Sequence, residues 1–77
     1  MGYAKIFRDY AGPDRKFSSF CIGEFFMSDD DIFVKIADDK ALNLSQSEKM
    51  CLDDALTIVD NDDNFPCQDG DFVIKMV

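Results

Sequence analysis

The sequence predicts a mainly β protein: a small antiparallel barrel, SH3-like or OB-like, of five to seven short strands. Three observations carry this. The apolar residues fall in short runs of Phe, Ile, Val and Leu, several of which alternate with period two. Turn-forming residues separate those runs at short, regular intervals. And 77 residues leave room for one domain, 1–77, of the size such barrels occupy.

The elements follow in order. Tyr3–Arg8 reads as a strand, ended by the turn Ala11-Gly12-Pro13-Asp14. Phe17–Ile22 and Phe25–Met27 are the next runs, and Ser28-Asp29-Asp30-Asp31 is a second turn. Asp suits turns because its carboxylate can bond the backbone two residues on. In the run Ile32–Ile36, Ile32, Val34 and Ile36 alternate with Phe33 and Lys35, the period of a half-buried strand. After the turn Ala37-Asp38-Asp39-Lys40, Leu42 and Leu44 alternate likewise within Ala41–Leu44.

Residues 46–56 have two readings. Ser45-Gln46-Ser47-Glu48 has capping-box form and can open a short helix. Asp53-Asp54 would then sit at the negative end of the helix dipole. A strand at Lys49–Leu52, a turn, and a strand at Leu56–Val59 is the favoured alternative. Asp60 to Asp71 reads as a loop and Phe72–Val77 as a last strand. The expected core is Ile22, Phe26, Ile32, Val34, Ile36, Leu42, Leu44, Leu56, Ile58 and Ile74.

Charge narrows the function classes. Sixteen acids, 14 of them Asp, stand against eight Lys plus Arg, a net of −8 with no His. A nucleic-acid binder needs a basic footprint, and docking on an anionic membrane needs cations. The dense Phe17, Phe20, Phe25, Phe26 and Phe33 lack the basic groove that accompanies base stacking. No apolar run reaches the roughly 18 residues of a membrane span, and the N-terminal ten residues lack a signal-like apolar core. The expected location is cytoplasmic. Cys21, Cys51 and Cys67 are odd in number and widely spaced, which suits reduced thiols rather than a disulfide framework.

Catalysis finds no support, since His, a phosphate-cradling Gly loop and a nucleophile motif are missing. Asp60-Asn61-Asp62-Asp63-Asn64 with Asp71 imitates a calcium loop. Phe65 stands where the sharp turn needs Gly, and Asp71 where a bidentate Glu is needed. No metal, cofactor or catalytic residue is expected. The charge is uneven: net +2 over residues 1–16 (Lys5, Arg8, Arg15 and Lys16 against Asp9 and Asp14) and net −10 over the rest. From Asp53 to Asp71 there are seven Asp and no cation. Asp53, Asp54, Asp60, Asp62, Asp63, Asp69 and Asp71 are therefore the candidate partner-binding residues, aimed at a basic surface. Asp29, Asp30, Asp31, Asp38 and Asp39 read as turn formers.

Three stretches carry a resemblance: Phe17-Ser18-Ser19-Phe20-Cys21-Ile22-Gly23-Glu24-Phe25-Phe26, Ile32-Phe33-Val34-Lys35-Ile36-Ala37-Asp38-Asp39-Lys40-Ala41-Leu42-Asn43-Leu44, and Leu52-Asp53-Asp54-Ala55-Leu56-Thr57-Ile58-Val59. Together, over about residues 17–59, the chain resembles the small acidic β-rich accessory proteins encoded by tailed bacteriophages. The resemblance implies a compact antiparallel barrel and an accessory or host-takeover role in the host cytoplasm. That class includes inhibitors of host defence nucleases and DNA mimics. The shared positions are core and turn positions, so no functional residue carries over, and the tail from Asp60 has no counterpart. The resulting expectation is a non-catalytic protein that inhibits a host defence or nucleic-acid-binding protein through an acidic, DNA-mimicking surface. The alternatives are a homo-oligomeric assembly module, with Phe72–Val77 pairing across an interface, and a nucleotide-signal sponge using Arg8, Arg15 and Lys16.

Overall fold

The computed structural model describes residues 2–45, 51–60, 62 and 64–77. Six strands form one antiparallel sheet: β1 (Ala4–Arg15), β2 (Phe25–Ser28), β3 (Asp31–Ala37), β4 (Lys40–Asn43), β5 (Leu56–Thr57) and β6 (Cys67–Met76). Their spatial order is β1-β6-β2-β3-β4-β5. The expected barrel is not closed. Closure needs a continuous ladder from the last strand to the first. Here β5 is two residues long and pairs only with β4, while β2 meets β6 through the single pair Met27–Gln68. The ends nevertheless curl toward each other. Ala4, Lys5 and Ile6 of β1 line a cavity of about 460 Å³ with Ile32, Leu44 and Ser45.

Several sequence boundaries shift. Ala11-Gly12-Pro13-Asp14 is not a turn but part of β1, passing as a register shift between Ala11 and Asp14. Pro13 is tolerated because β1 is an edge strand. Gly12 suits the close approach of the strands there, since an added Cβ would crowd Asp69 at 3.0–3.1 Å. Phe17–Ile22 is not a strand: Phe17–Ser19 is a 3-10 turn, closed by the Phe20 N–H donating to the Phe17 carbonyl. The β2–β3 hairpin matches expectation. Asp29 and Asp30 both take positive φ, 49° and 66°, as a two-residue loop matching strand twist requires.

The 46–56 question lies partly outside the described residues, since 46–50 fall there. Its described part holds a 3-10 turn at Leu52–Asp54 and then β5, so Leu52 does not continue a strand. Strand β6 begins at Cys67, shortening the expected loop by five residues, Cys67 to Asp71. It lies between β1 and β2, so Phe72–Val77 is not a free edge. The free edges are β1 and β5.

The core is on the face of β3 opposite to the one the alternation suggested. Phe17, Phe20, Phe26, Phe33, Ala41, Ile58 and Cys67 are buried, with Phe65 packed against them. Of the expected core, Phe26 and Ile58 are buried, and Ile32, Val34, Ile36 and Leu42 are half-buried on the back of the sheet. Ile22, Leu44, Leu56 and Ile74 are exposed. The reason is aromatic packing. Phe26 lies parallel to Phe33 at 5.4 Å, and Phe17 and Phe65 meet its ring nearly edge-on at 5.7 and 6.4 Å. Such pairs add to the large area that each ring removes from water.

That choice turns Lys35 inward, where it is only 4% exposed. A buried ammonium is costly unless hydrogen-bonded. Its Nζ donates to the Phe17 carbonyl at 3.1 Å and the Phe20 carbonyl at 2.9 Å, and stands 4.5 Å from the centre of the Phe17 ring. The 3-10 turn thus finds donors for two carbonyls, and the lysine finds acceptors and a π face.

Candidate interaction surface

The chain's cations are largely engaged by their own fold. Arg15, at the end of β1, donates to Asp69 at 2.9 Å, to Glu24 at 3.3 Å and through Nε to Ser19 Oγ at 3.0 Å. Its guanidinium carbon lies 4.2 Å from the centre of the Phe20 ring. Asp69, and more weakly Glu24, raise the Arg15 pKa against the opposing effect of burial. The Gly70 N–H, followed by Arg15, holds the Asp69 carboxyl below the usual range. Arg8 donates to Gln68 Oε1 at 2.7 Å. Lys5 and Lys75 flank the Phe7 ring at 5.7 and 5.6 Å. Arg8, Arg15 and Lys16 therefore do not gather into one phosphate site; only Arg15 and Lys16 share a cavity.

The acids are the reverse case. Among the described residues, Glu24 and Asp69 alone form ion pairs, both with Arg15. The seven candidate Asp do not form one patch. Asp69 belongs to the Arg15 cluster. Asp71 is exposed on β6, opposite Tyr10. Asp60 has a structural role, accepting the Ser18 N–H at 3.2 Å and so capping the first 3-10 turn. Asp62 closes its own loop by accepting the Asn64 N–H at 2.9 Å. Asp53 and Asp54 project from the second 3-10 turn, where Asp54 accepts the Cys51 N–H at 3.4 Å. Asp63 lies outside the described residues.

What the sequence missed is where the turn acids go. Asp29 and Asp31, from the β2–β3 hairpin, line a cavity of about 330 Å³ together with Asp54. Asp29 and Asp30 border a second cavity of about 290 Å³ with Asp14. Ser28 lines both. These acids are distant in sequence from the Asp53–Asp71 stretch, so a run-based reading passes over them. Their shared signal was available only as adjacency to Ser28 in the hairpin.

The three thiols differ. Cys21 and Cys51 are exposed and Cys67 is buried, and burial, with Asp60 nearby, pushes the Cys67 thiol up to about 11. Since the thiolate is the reactive form, a thiol reagent at pH 8 should modify two cysteines of the native protein quickly. The third should react only on unfolding, which titration with and without denaturant will read.

Comparison with protein-family models, with curated proteins and with solved structures finds no match. The class that the fold defines is an open, strongly curled six-stranded antiparallel sheet with an acidic exterior. Among the described residues no helix is long and apolar enough to cross a membrane.

Proposed function

We propose that this chain is a non-catalytic accessory protein of the phage type that binds and inhibits a basic host protein, of the defence or nucleic-acid-binding kind, through its acidic exterior. The observation that supports this reading best is the segregation of charge. Arg15 and Lys35 are satisfied within the fold, whereas among the described residues the acids other than Glu24 and Asp69 form no ion pair. Buried Lys35, and Arg15 set against Glu24 and Asp69, cancel in the sum, so the rest of the chain still carries the full net −8. Such a surface steers a basic partner quickly and offers carboxylates where that partner expects phosphates.

The test uses reversals that spare the fold. Asp53 and Asp71 are exposed, and their carboxylates make no hydrogen bond or ion pair among the described residues. The double variant Asp53→Lys/Asp71→Lys should keep its circular dichroism spectrum and lose at least about tenfold in affinity for a basic host protein captured by the wild type. Capture should also weaken sharply from about 0.01 M to about 0.15 M salt, as the Debye length falls from about 30 Å to about 8 Å. Unchanged affinity in the double variant contradicts the reading.

A second reading rests on the back of the sheet. Ile74 and Met76 of β6 are 63% and 74% exposed, and Ile32 and Val34 of β3 are half-buried. A homo-oligomer would cover them, and light scattering at two concentrations separates it from a monomeric inhibitor.

A further inference from the structure

The 330 Å³ cavity between the β2–β3 hairpin and the second 3-10 turn has three properties that belong together. Asp29, Asp31 and Asp54 line it, and among the described residues neither a lysine nor an arginine does. The rings of Phe33 and Phe65, 5.1 Å apart and nearly perpendicular, form an apolar floor. And Ser28, only 4% exposed, lines it with a buried hydroxyl that has no hydrogen-bond partner among the described residues. A buried hydroxyl without a partner is costly, so its retention at an acidic cavity points to a donor that arrives from outside.

The chemistry of that donor is defined by the lining. It must be cationic to suit three carboxylates, and it must offer N–H groups to Ser28 Oγ and to the carboxylate oxygens. It must also tolerate contact with aromatic rings. No three of the described His, Cys, Asp or Glu side chains stand close enough to hold a metal ion, which leaves an organic cation. A guanidinium fits best. It is planar, weakly hydrated, carries five N–H donors and packs on aromatic rings, whereas an ammonium is compact and strongly hydrated. The volume is at the low end for ligand sites and suits one side chain.

We propose that this cavity binds the guanidinium of an arginine side chain presented by a partner polypeptide. The proposal rests on the reading of the chain as a binder of basic proteins, and gives that reading a specific contact. The Asp31 carboxylate is held in place, since its Oδ2 accepts a hydrogen bond from Asn43 Nδ2 at 3.1 Å. Asp29 and Asp31 come from the β2–β3 hairpin and Asp54 from the second 3-10 turn.

The experiment is an amide-resolved NMR titration of the full chain at low salt with N-acetyl-arginine methylamide. N-acetyl-lysine methylamide and magnesium chloride are the parallel arms. The arginine probe should shift Ser28–Asp31, Asn43 and Asp54–Leu56 in a saturable way, in the millimolar range expected of so small a ligand. The lysine probe should bind there at least about threefold more weakly. Ser28→Ala should raise thermal stability, because it removes the unpartnered hydroxyl, yet weaken the arginine probe at least about threefold. Asp54→Asn should weaken it similarly, and Asp71→Asn should not.

Shifts spread evenly over all exposed Asp, equal binding of the lysine probe, or unchanged affinity in Ser28→Ala would each overturn the assignment. If the probe fails here while Asp53→Lys/Asp71→Lys still abolishes partner capture, the cavity proposal falls and the broader acidic surface stands. If the probe binds here and the double reversal leaves capture unchanged, the arginine site stands and the broader reading falls.

Discussion

Phe26→Ala should destabilise the protein by about 3–5 kcal/mol, the cost of removing a fully buried aromatic side chain and leaving a cavity. The ring is fully buried and contacts four other rings: Phe17, Phe20, Phe33 and Phe65. No single element can relax to fill the space. Phe17 and Phe20 come from the first 3-10 turn, Phe33 from β3, and Phe65 from the loop before β6. Small domains have total stabilities of only about 5–15 kcal/mol, so this one change should remove a large share. Urea denaturation will read it as a large fall in midpoint with a similar slope. Phe25→Ala provides the control. Phe25 neighbours Phe26 in sequence but is half-buried on the back of the sheet, 6.1 Å from Phe72, and should cost distinctly less.

Lys35→Met carries the second large effect, about 2–4 kcal/mol of destabilisation, because two buried carbonyls lose their donor. Methionine keeps an unbranched stem of comparable length, so packing changes little. What disappears is the ammonium that holds the Phe17 and Phe20 carbonyls and stands over the Phe17 ring. A solvated lysine on an exposed strand face would give almost no change, or a slight gain, in the same substitution. Lys40→Met, at the exposed start of β4, supplies that comparison.

These two residues also show how far the sequence could be read. The mainly β class, the β2–β3–β4 meander and the Asp29-Asp30 turn were legible from alternation and turn chemistry. Which face of β3 is buried was not. Ile32, Val34 and Ile36 on one side and Phe33 on the other are both apolar, and Lys35 argued for solvent only under the usual rule that lysine faces water. The rule fails here because the 3-10 turn after β1 places two carbonyls over the sheet, an arrangement no local pattern reveals. Closure was overstated for a related reason. Period-two runs identify strands but not whether the first and last of them pair.

The acidic surface was legible in amount and not in arrangement. Counting along the chain singled out Asp53–Asp71, yet Asp60 caps a turn and Asp69 is neutralised by Arg15. Conversely, Asp29 and Asp31 form a turn and line the cavity reached by Asp54. A residue can satisfy local backbone chemistry and still present a carboxylate oxygen to a ligand.

The central claim is that the fold buries Lys35 and pairs Arg15 with Glu24 and Asp69, leaving the other described acids without an ion pair, and lysine accessibility tests it most directly. The native protein is treated with a reductive-methylation reagent and mapped by mass spectrometry over time. Lys5, Lys16, Lys40 and Lys75 are exposed and should be methylated quickly, while Lys35 stays unmodified until the chain is unfolded. Methylation of Lys35 at the rate of the other four would contradict the account. It would return the core to the Ile32, Val34 and Ile36 face and remove the charge segregation on which the proposed function depends.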